Sequence, residues 1–236
     1  DIIHVEVQRS EDVGIALNRV AFAKPRVLVV NGGDGTVQAV LTEMFGEGAP
    51  DRALPPIAVL PSGKTNLIAK DLGSTGDPIR ALERIVGIAQ DGVATHVVQR
   101  QLISLDDGRR GRPVLGMFLA AGALVDILLF CRHKVYPLGL PNWLAHLLTV
   151  LSGVVSVLTD WSARFLPPKP SEVGLAVGAH RMRGRFQILM VTTLRQLVLT
   201  GKAPPEEEGM LQLLAIERRR VTGEQAPARL VGLALH

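Results

Sequence analysis

Cysteine is nearly missing from this chain: Cys131 is the single one among 236 residues. That excludes an internal disulfide framework and a thiolate metal site built from this chain alone, and it fits a reducing compartment. Aromatic residues are scarce as well, at 4%, so there is little to stack against the bases of a single-stranded nucleic acid. No zinc-finger or RNA-recognition pattern is present either. The chain opens at Asp1 without an initiator Met, a basic n-region or a cleavage-site pattern. No signal peptide is therefore expected, and the chain reads as a fragment.

What is there is a foldable, basic sequence. With 47% hydrophobic and 20% charged residues, it is too apolar for a disordered tail and too charged for a multispanning membrane protein. Its length allows one large domain or two modest ones. Net charge is +4, and arginines bunch at Arg109/Arg110/Arg112, Arg181/Arg183/Arg185 and Arg218/Arg219/Arg220. Phosphates or anionic lipid headgroups suit that pattern as well as nucleic acid does, and with aromatics and nucleic-acid motifs so scarce no nucleic-acid partner is expected; solvated loop arginines are the plain alternative.

Periodicity divides the chain near residue 93. Ile2–Val7 reads as a strand, and Asp12–Ala23 as a helix with Val13, Ala16, Leu17 and Val20 on one face. Arg26–Val30 is an apolar run of the kind buried on both faces in a parallel sheet, and Thr36–Phe45 is a helix with Val37, Val40, Leu41 and Met44 inward. A second strand, Ile57–Leu60, leads through Pro61–Thr65 into a helix at Asn66–Leu72, stopped by Gly73 at its C′ position. Asp77-Pro78 then opens a helix running to about Gln90. This alternation predicts an α/β domain over 1–93 with a helix-covered parallel sheet.

From Thr95 onward, short strand-like runs and turn signals predict a mainly β domain over 94–236, antiparallel and sandwich-like. Asp106-Asp107-Gly108 turns one hairpin, and Gly178-Ala179-His180 joins Glu172–Val177 to Arg185–Thr193 in another. An amphipathic helix is inserted near Asn142–Trp161. Its apolar stripe includes Leu144, Leu147, Leu148, Leu151, Val154, Val155 and Leu158, and Trp143 and Trp161 bracket it. A core position, a bilayer-interface position and a true membrane span all stay open for it.

Two turns carry chemistry. In Asn31-Gly-Gly-Asp-Gly-Thr36, Gly32, Gly33 and Gly35 let an anion approach the main chain, and the following helix start offers N–H groups and a positive dipole end. Asp34 does not attract phosphate; its roles would be to hold Mg²⁺ through water or to fix the loop. The second turn, Pro61-Ser-Gly-Lys-Thr-Asn66, also follows a strand, so Gly63, Lys64, Thr65 and Asn66 would share a crevice with the first at the carboxyl ends of the strands. Together they describe a nucleotide site. Ser62-Gly63-Lys64-Thr65 echoes a P-loop, but the upstream glycine of that motif is absent.

These residues resemble the diacylglycerol kinase catalytic-domain family, which includes sphingosine kinases and bacterial lipid kinases. Gly32–Thr36 is similar to the family's Gly-Gly-Asp-Gly-Thr hallmark. Pro61, Gly63, Thr65, Asn66, Ala69 and Lys70 resemble its second block, with Lys64 standing where threonine is usual. Phe118–Asp126 is similar to its glycine-rich segment ending in Asp, with Leu124 in place of a common glycine. Ala203–Leu214 resembles its Asp-Gly turn, with Glu208 at the Asp position.

The resemblance implies an ATP-dependent lipid kinase that phosphorylates a hydroxyl of diacylglycerol or a related lipid, with ATP and Mg²⁺ as cofactors. It implies a cytoplasmic enzyme in peripheral contact with the inner, anionic membrane face; a homodimer stays open. Gly32, Gly33, Asp34, Gly35, Thr36, Gly63, Lys64, Thr65 and Asn66 would bind nucleotide, Asp126 would orient the lipid and Glu208 would help organise the metal. The family's general base sits in a C-terminal Asp-Gly-Glu turn, which Thr222-Gly223-Glu224 approaches only loosely. The base is therefore expected beyond His236, and the family's first strand before Asp1. Two rivals stand beside this reading. One is an NAD kinase-like or phosphofructokinase-like enzyme sharing the first turn; the other is a non-catalytic nucleotide- or lipid-binding regulator.

Overall fold

The computed structural model describes residues 2–47, 54–106, 112–122, 172–177, 180–197, 201–202, 211–217 and 230–235, with positions 125, 129, 133 and 135. The chain divides into two compact units, Asp1–Phe118 with Thr192–Leu211, and Leu119–Val191 with Gln212–His236.

In the first unit, α1 (Val13–Phe22) precedes β1 (Leu28–Gly32), and α2 (Asp34–Phe45) crosses over to β2 (Ile57–Pro61). The two strands are parallel, in register from Leu28 opposite Ile57 to Gly32 opposite Pro61. A parallel pair needs such a crossover because a tight turn cannot return the chain to the same end. Val37, Val40, Leu41 and Met44 of α2 are all buried, at the spacing that lays one stripe along a helix. They share a core with Val13, Val30, Val59, and Ile68 and Ala69 of α3 (Leu67–Asp71). Gly73 ends α3 at a φ of +80°, a left-handed position glycine takes without steric penalty. Next, α4 (Pro78–Asp91) is capped by Asp77, whose Oδ1 accepts from the N–H groups of Ile79 and Arg80 at 3.0 Å each.

The strand expected at Ile2–Val7 does not form. Among the described residues this segment pairs with no strand, and Ile2 and Ile3 stay 74% and 60% exposed. Alternation gives a segment a face but not a partner for its backbone groups, and without one there is no strand.

The hairpin expected around Asp106–Gly108 is present as β3 (Ile103–Leu105) and β4 (Val114–Gly116), with Ile103 opposite Gly116. Thr42 of α2 docks it: the Leu115 N–H donates to Thr42 Oγ1 at 3.0 Å, and the hydroxyl can in turn reach Gln38 O at 2.9 Å. After β4, Met117 O accepts the Thr193 N–H at 3.0 Å and the Thr192 hydroxyl at 3.2 Å. These bonds bring Leu194 into the same core.

The second unit contains β5 (Phe118–Ala121), β6 (Val173–Val177), β7 (His180–Gly184), β8 (Phe186–Thr192), β11 (Leu211–Glu217) and β12 (Leu230–Leu235). Four of them form one sheet in the order β12, β11, β8, β5. Leu213 and Leu214 are both buried. Neighbouring side chains on a strand point to opposite faces, so β11 is covered on both. The short antiparallel pair β9 (Gln196–Leu197) and β10 (Gly201–Lys202) belongs to the first unit.

One pairing differs from the expected hairpin. β6 pairs with β7, Val177 opposite His180, whereas Phe186–Thr192 joins the four-stranded sheet. A two-residue connection fixes the register of the strand that immediately follows it. The strand expected over Arg185–Thr193 is present as β8, but β7, which comes before it, takes its expected place beside β6. The helix expected near Asn142–Trp161, and Cys131, lie outside the described residues.

Candidate functional site

Because Gly32 lies opposite Pro61 at the ends of β1 and β2, the two glycine turns leave the sheet at the same level. They touch backbone to backbone. A Cβ placed on Gly63 would stand 2.5 Å from Gly33 Cα, so no side chain fits between them. A Cβ on Gly32 would fall 2.7 Å from the Thr36 side chain. Gly35 is different: nothing lies within 4 Å of where its Cβ would be. Packing demands glycine at 32 and 63 but leaves open space at 35.

Asp34 is turned toward the second turn's helix. Its Oδ2 accepts the Leu67 N–H at 3.2 Å and its Oδ1 the Ile68 N–H at 3.0 Å. It thereby caps α3, whose own preceding residue supplies no side-chain cap. This is the loop-fixing role of the two expected for Asp34.

Asn66 shapes its turn in a similar way. It sits at a φ of +53°, a left-handed conformation that Asn tolerates better than most residues. Its Oδ1 accepts the Gly63 N–H at 2.6 Å, while its Nδ2 donates to Gly63 O at 2.8 Å and Pro61 O at 3.1 Å. The side chain is folded back on its own loop.

With the loops so braced, α2 begins at Gly33, which as glycine offers no side-chain cap. The first-turn N–H groups of a helix have no partners within it and carry the positive end of its dipole. Gly35, Thr36, Lys64 and Thr65 are exposed around this point, and Gly32, Gly33, Asp34, Gly63 and Asn66 are half-buried. All nine residues expected at the nucleotide site thus fall on the two adjoining turns and the helix start that follows the first. Asp126 and Glu208 lie outside the described residues.

For a divalent metal the described residues offer little. No group of three or more His, Cys, Asp or Glu side chains converges among them, and both Asp34 oxygens already accept amide N–H groups. No helix among the described residues is long and apolar enough to cross a membrane.

Behind the site is a contact absent from the sequence reading. Asp71, at the far end of α3, has a side chain only 1% exposed, and pairs at 3.4 Å with Arg100, whose side chain is 9% exposed. Its Oδ1 also accepts the Arg195 N–H. No local pattern marks residues so far apart in sequence.

The arrangement defines a class: an α/β domain whose parallel strands end in glycine turns at a helix N-terminus, where such folds present their ligands. Comparison gives the family that the first part of the chain matches. Residues 2–98 match the diacylglycerol kinase catalytic domain, so the resemblance carried by Gly32–Thr36 and Pro61–Asn66 holds. A crystal structure of a protein from Bacillus anthracis str. Sterne, assigned as a diacylglycerol kinase, is 17% identical with a TM-score of 0.53, covering 90% of this chain and 62% of that one. A further crystal structure of a diacylglycerol kinase from the same organism is 15% identical with a TM-score of 0.51, covering 90% and 60%. At such identities the likeness concerns the fold. This chain spans about 62% of the length of the first of these neighbours. Among curated proteins none matches the chain significantly.

Proposed function

We propose that this chain is part of an ATP-dependent lipid kinase, which moves the γ-phosphoryl group of ATP to a hydroxyl of diacylglycerol or a related lipid. The lipid hydroxyl would give up its proton to a general base, its oxygen would form the new bond to phosphorus, the bond from phosphorus to the β-phosphate oxygen would break, and ADP would leave. Phosphoryl transfer rests mainly on positioning and charge stabilisation. The observation that carries the reading is the open space at Gly35, before an α2 N-terminus with no side-chain cap and beside the second glycine turn.

In this reading the N–H group of Gly35 faces the phosphates, the Thr36 N–H being bonded to Gly33 O at 2.9 Å, and Lys64 and Thr65 border them. Gly32, Gly33 and Gly63 allow the turns to meet, while Asp34 and Asn66 hold the loops in shape. Mg²⁺ would arrive with the nucleotide and offset its charge; Glu208 is the residue proposed to assist it and Asp126 the one proposed to orient the lipid. The lipid substrate and ATP together place the reaction at the cytoplasmic face of a bilayer.

The test is transfer of labelled γ-phosphate from ATP to a panel of lipids, with NAD as a parallel acceptor, using the full-length protein. A labelled lipid phosphate is expected. Label on NAD and on no lipid would replace the assignment by an NAD kinase, and ATP binding without any transfer would replace it by a regulator.

A further inference from the structure

The hairpin β6–β7 carries a feature that phosphoryl transfer does not use. Register places Gly174 opposite Arg183 and Ala176 opposite Arg181. Side chains alternate between faces along a strand, so these four residues share one face. Gly174, Ala176, Arg181 and Arg183 are all exposed, and Arg185, just past the end of β7, is exposed as well. Glu172 meets Arg183 at 2.9 Å, leaving the face a net positive charge.

We infer that this face of β6–β7 is a docking surface for anionic phospholipid headgroups at a bilayer, which deepens the lipid-kinase reading by naming where the protein meets its membrane. Strand geometry spaces Arg181 and Arg183 roughly 7 Å apart along one line, and Arg185 follows directly after the strand's last residue, Gly184. A row of mobile headgroups can match that line without shape complementarity. The residues opposite are Gly174 and Ala176, so the face has no aromatic or large apolar anchor of the kind that dominates protein interfaces. It has no ring to stack on nucleobases either. What remains is charge alone, and charge complementarity selects a densely anionic surface.

Attraction of this type amounts to roughly a fivefold change in partitioning for each basic side chain near an anionic membrane, and it fades as salt shortens the screening length. The experiment is co-sedimentation of the protein with phosphatidylglycerol/phosphatidylcholine vesicles and with pure phosphatidylcholine vesicles, at low and high salt. Neither ATP nor diacylglycerol is present, so the result stands apart from whether the chain is a kinase.

Wild type should bind only the anionic vesicles and release with salt. Arg181→Gln with Arg185→Gln should bind roughly 25-fold more weakly. A charge-matched control, Lys24→Gln with Arg80→Gln, alters exposed side chains of the first unit and should change binding little. Equal loss in both variants would reduce the effect to net charge and overturn the assignment, as would wild-type binding by the hairpin variant. No binding by wild type, or tighter hairpin-dependent binding to duplex DNA than to vesicles, would overturn it too. Circular dichroism of each variant separates loss of binding from loss of fold.

Discussion

Replacing Gly35 by alanine should make the protein more stable and a poorer nucleotide binder. Gly35 lies in the first turn of α2, and its missing Cβ would meet nothing within 4 Å. Alanine removes backbone freedom from the unfolded chain without a clash, which stabilises by about 0.4–1 kcal/mol. For a chain of this size that is a rise in Tm of roughly 1–4 °C. The same methyl group occupies the space through which a phosphate would reach the helix N-terminus. Losing one hydrogen bond to a charged ligand costs about 1.5–3 kcal/mol, or roughly a 10- to 150-fold rise in Kd for ATP. Gly63→Ala is the informative contrast. Its Cβ would stand 2.5 Å from Gly33 Cα, so the turns must part, at about 1–3 kcal/mol of stability. Calorimetric titration with ATP and thermal unfolding read both quantities. A Gly35→Ala protein that binds ATP like wild type would refute a phosphate approach at this helix end, whatever its Tm.

Two further substitutions probe the bracing. Asp34→Ala removes both acceptors at the start of α3 and should lower stability by about 1–2 kcal/mol, seen as a lower urea midpoint with little change in m. Asp71→Asn leaves Arg100 buried without its counter-charge and should destabilise by about 3–5 kcal/mol, read by the same unfolding curves; a change under 1 kcal/mol would show the pair to be dispensable.

The features legible in the sequence were those whose partners lie within a turn or two. Val37, Val40, Leu41 and Met44 formed a stripe because helix periodicity is local, and Asp77-Pro78 and Gly73 announced helix ends for the same reason. The glycine turns were legible by composition, but which glycine packs and which stays open depended on how Gly33 meets Gly63. Ile2–Val7 alternated like a strand, yet alternation cannot supply a neighbour. Thr42 with Leu115, and Asp71 with Arg100 and Arg195, join residues that only the fold brings together. A pattern search along the chain had nothing to detect there.

The carboxylates at the two ends of α3 explain how an acidic residue can sit inside a turn suited to phosphate. A helix of five residues is too short to persist by its own hydrogen bonds, so its placement depends on what grips it. Asp34 grips the amides at its start, and Asp71 ties its end to Arg100 and to the backbone of Arg195. The Asp34 charge is thus directed into α3, where N–H groups answer it. The turn keeps its glycines and amides for an incoming anion, and the second turn, which leads into α3, is held against the first. On this account the carboxylate in Gly32–Thr36 sets the distance between the two turns, and its removal should loosen both at once.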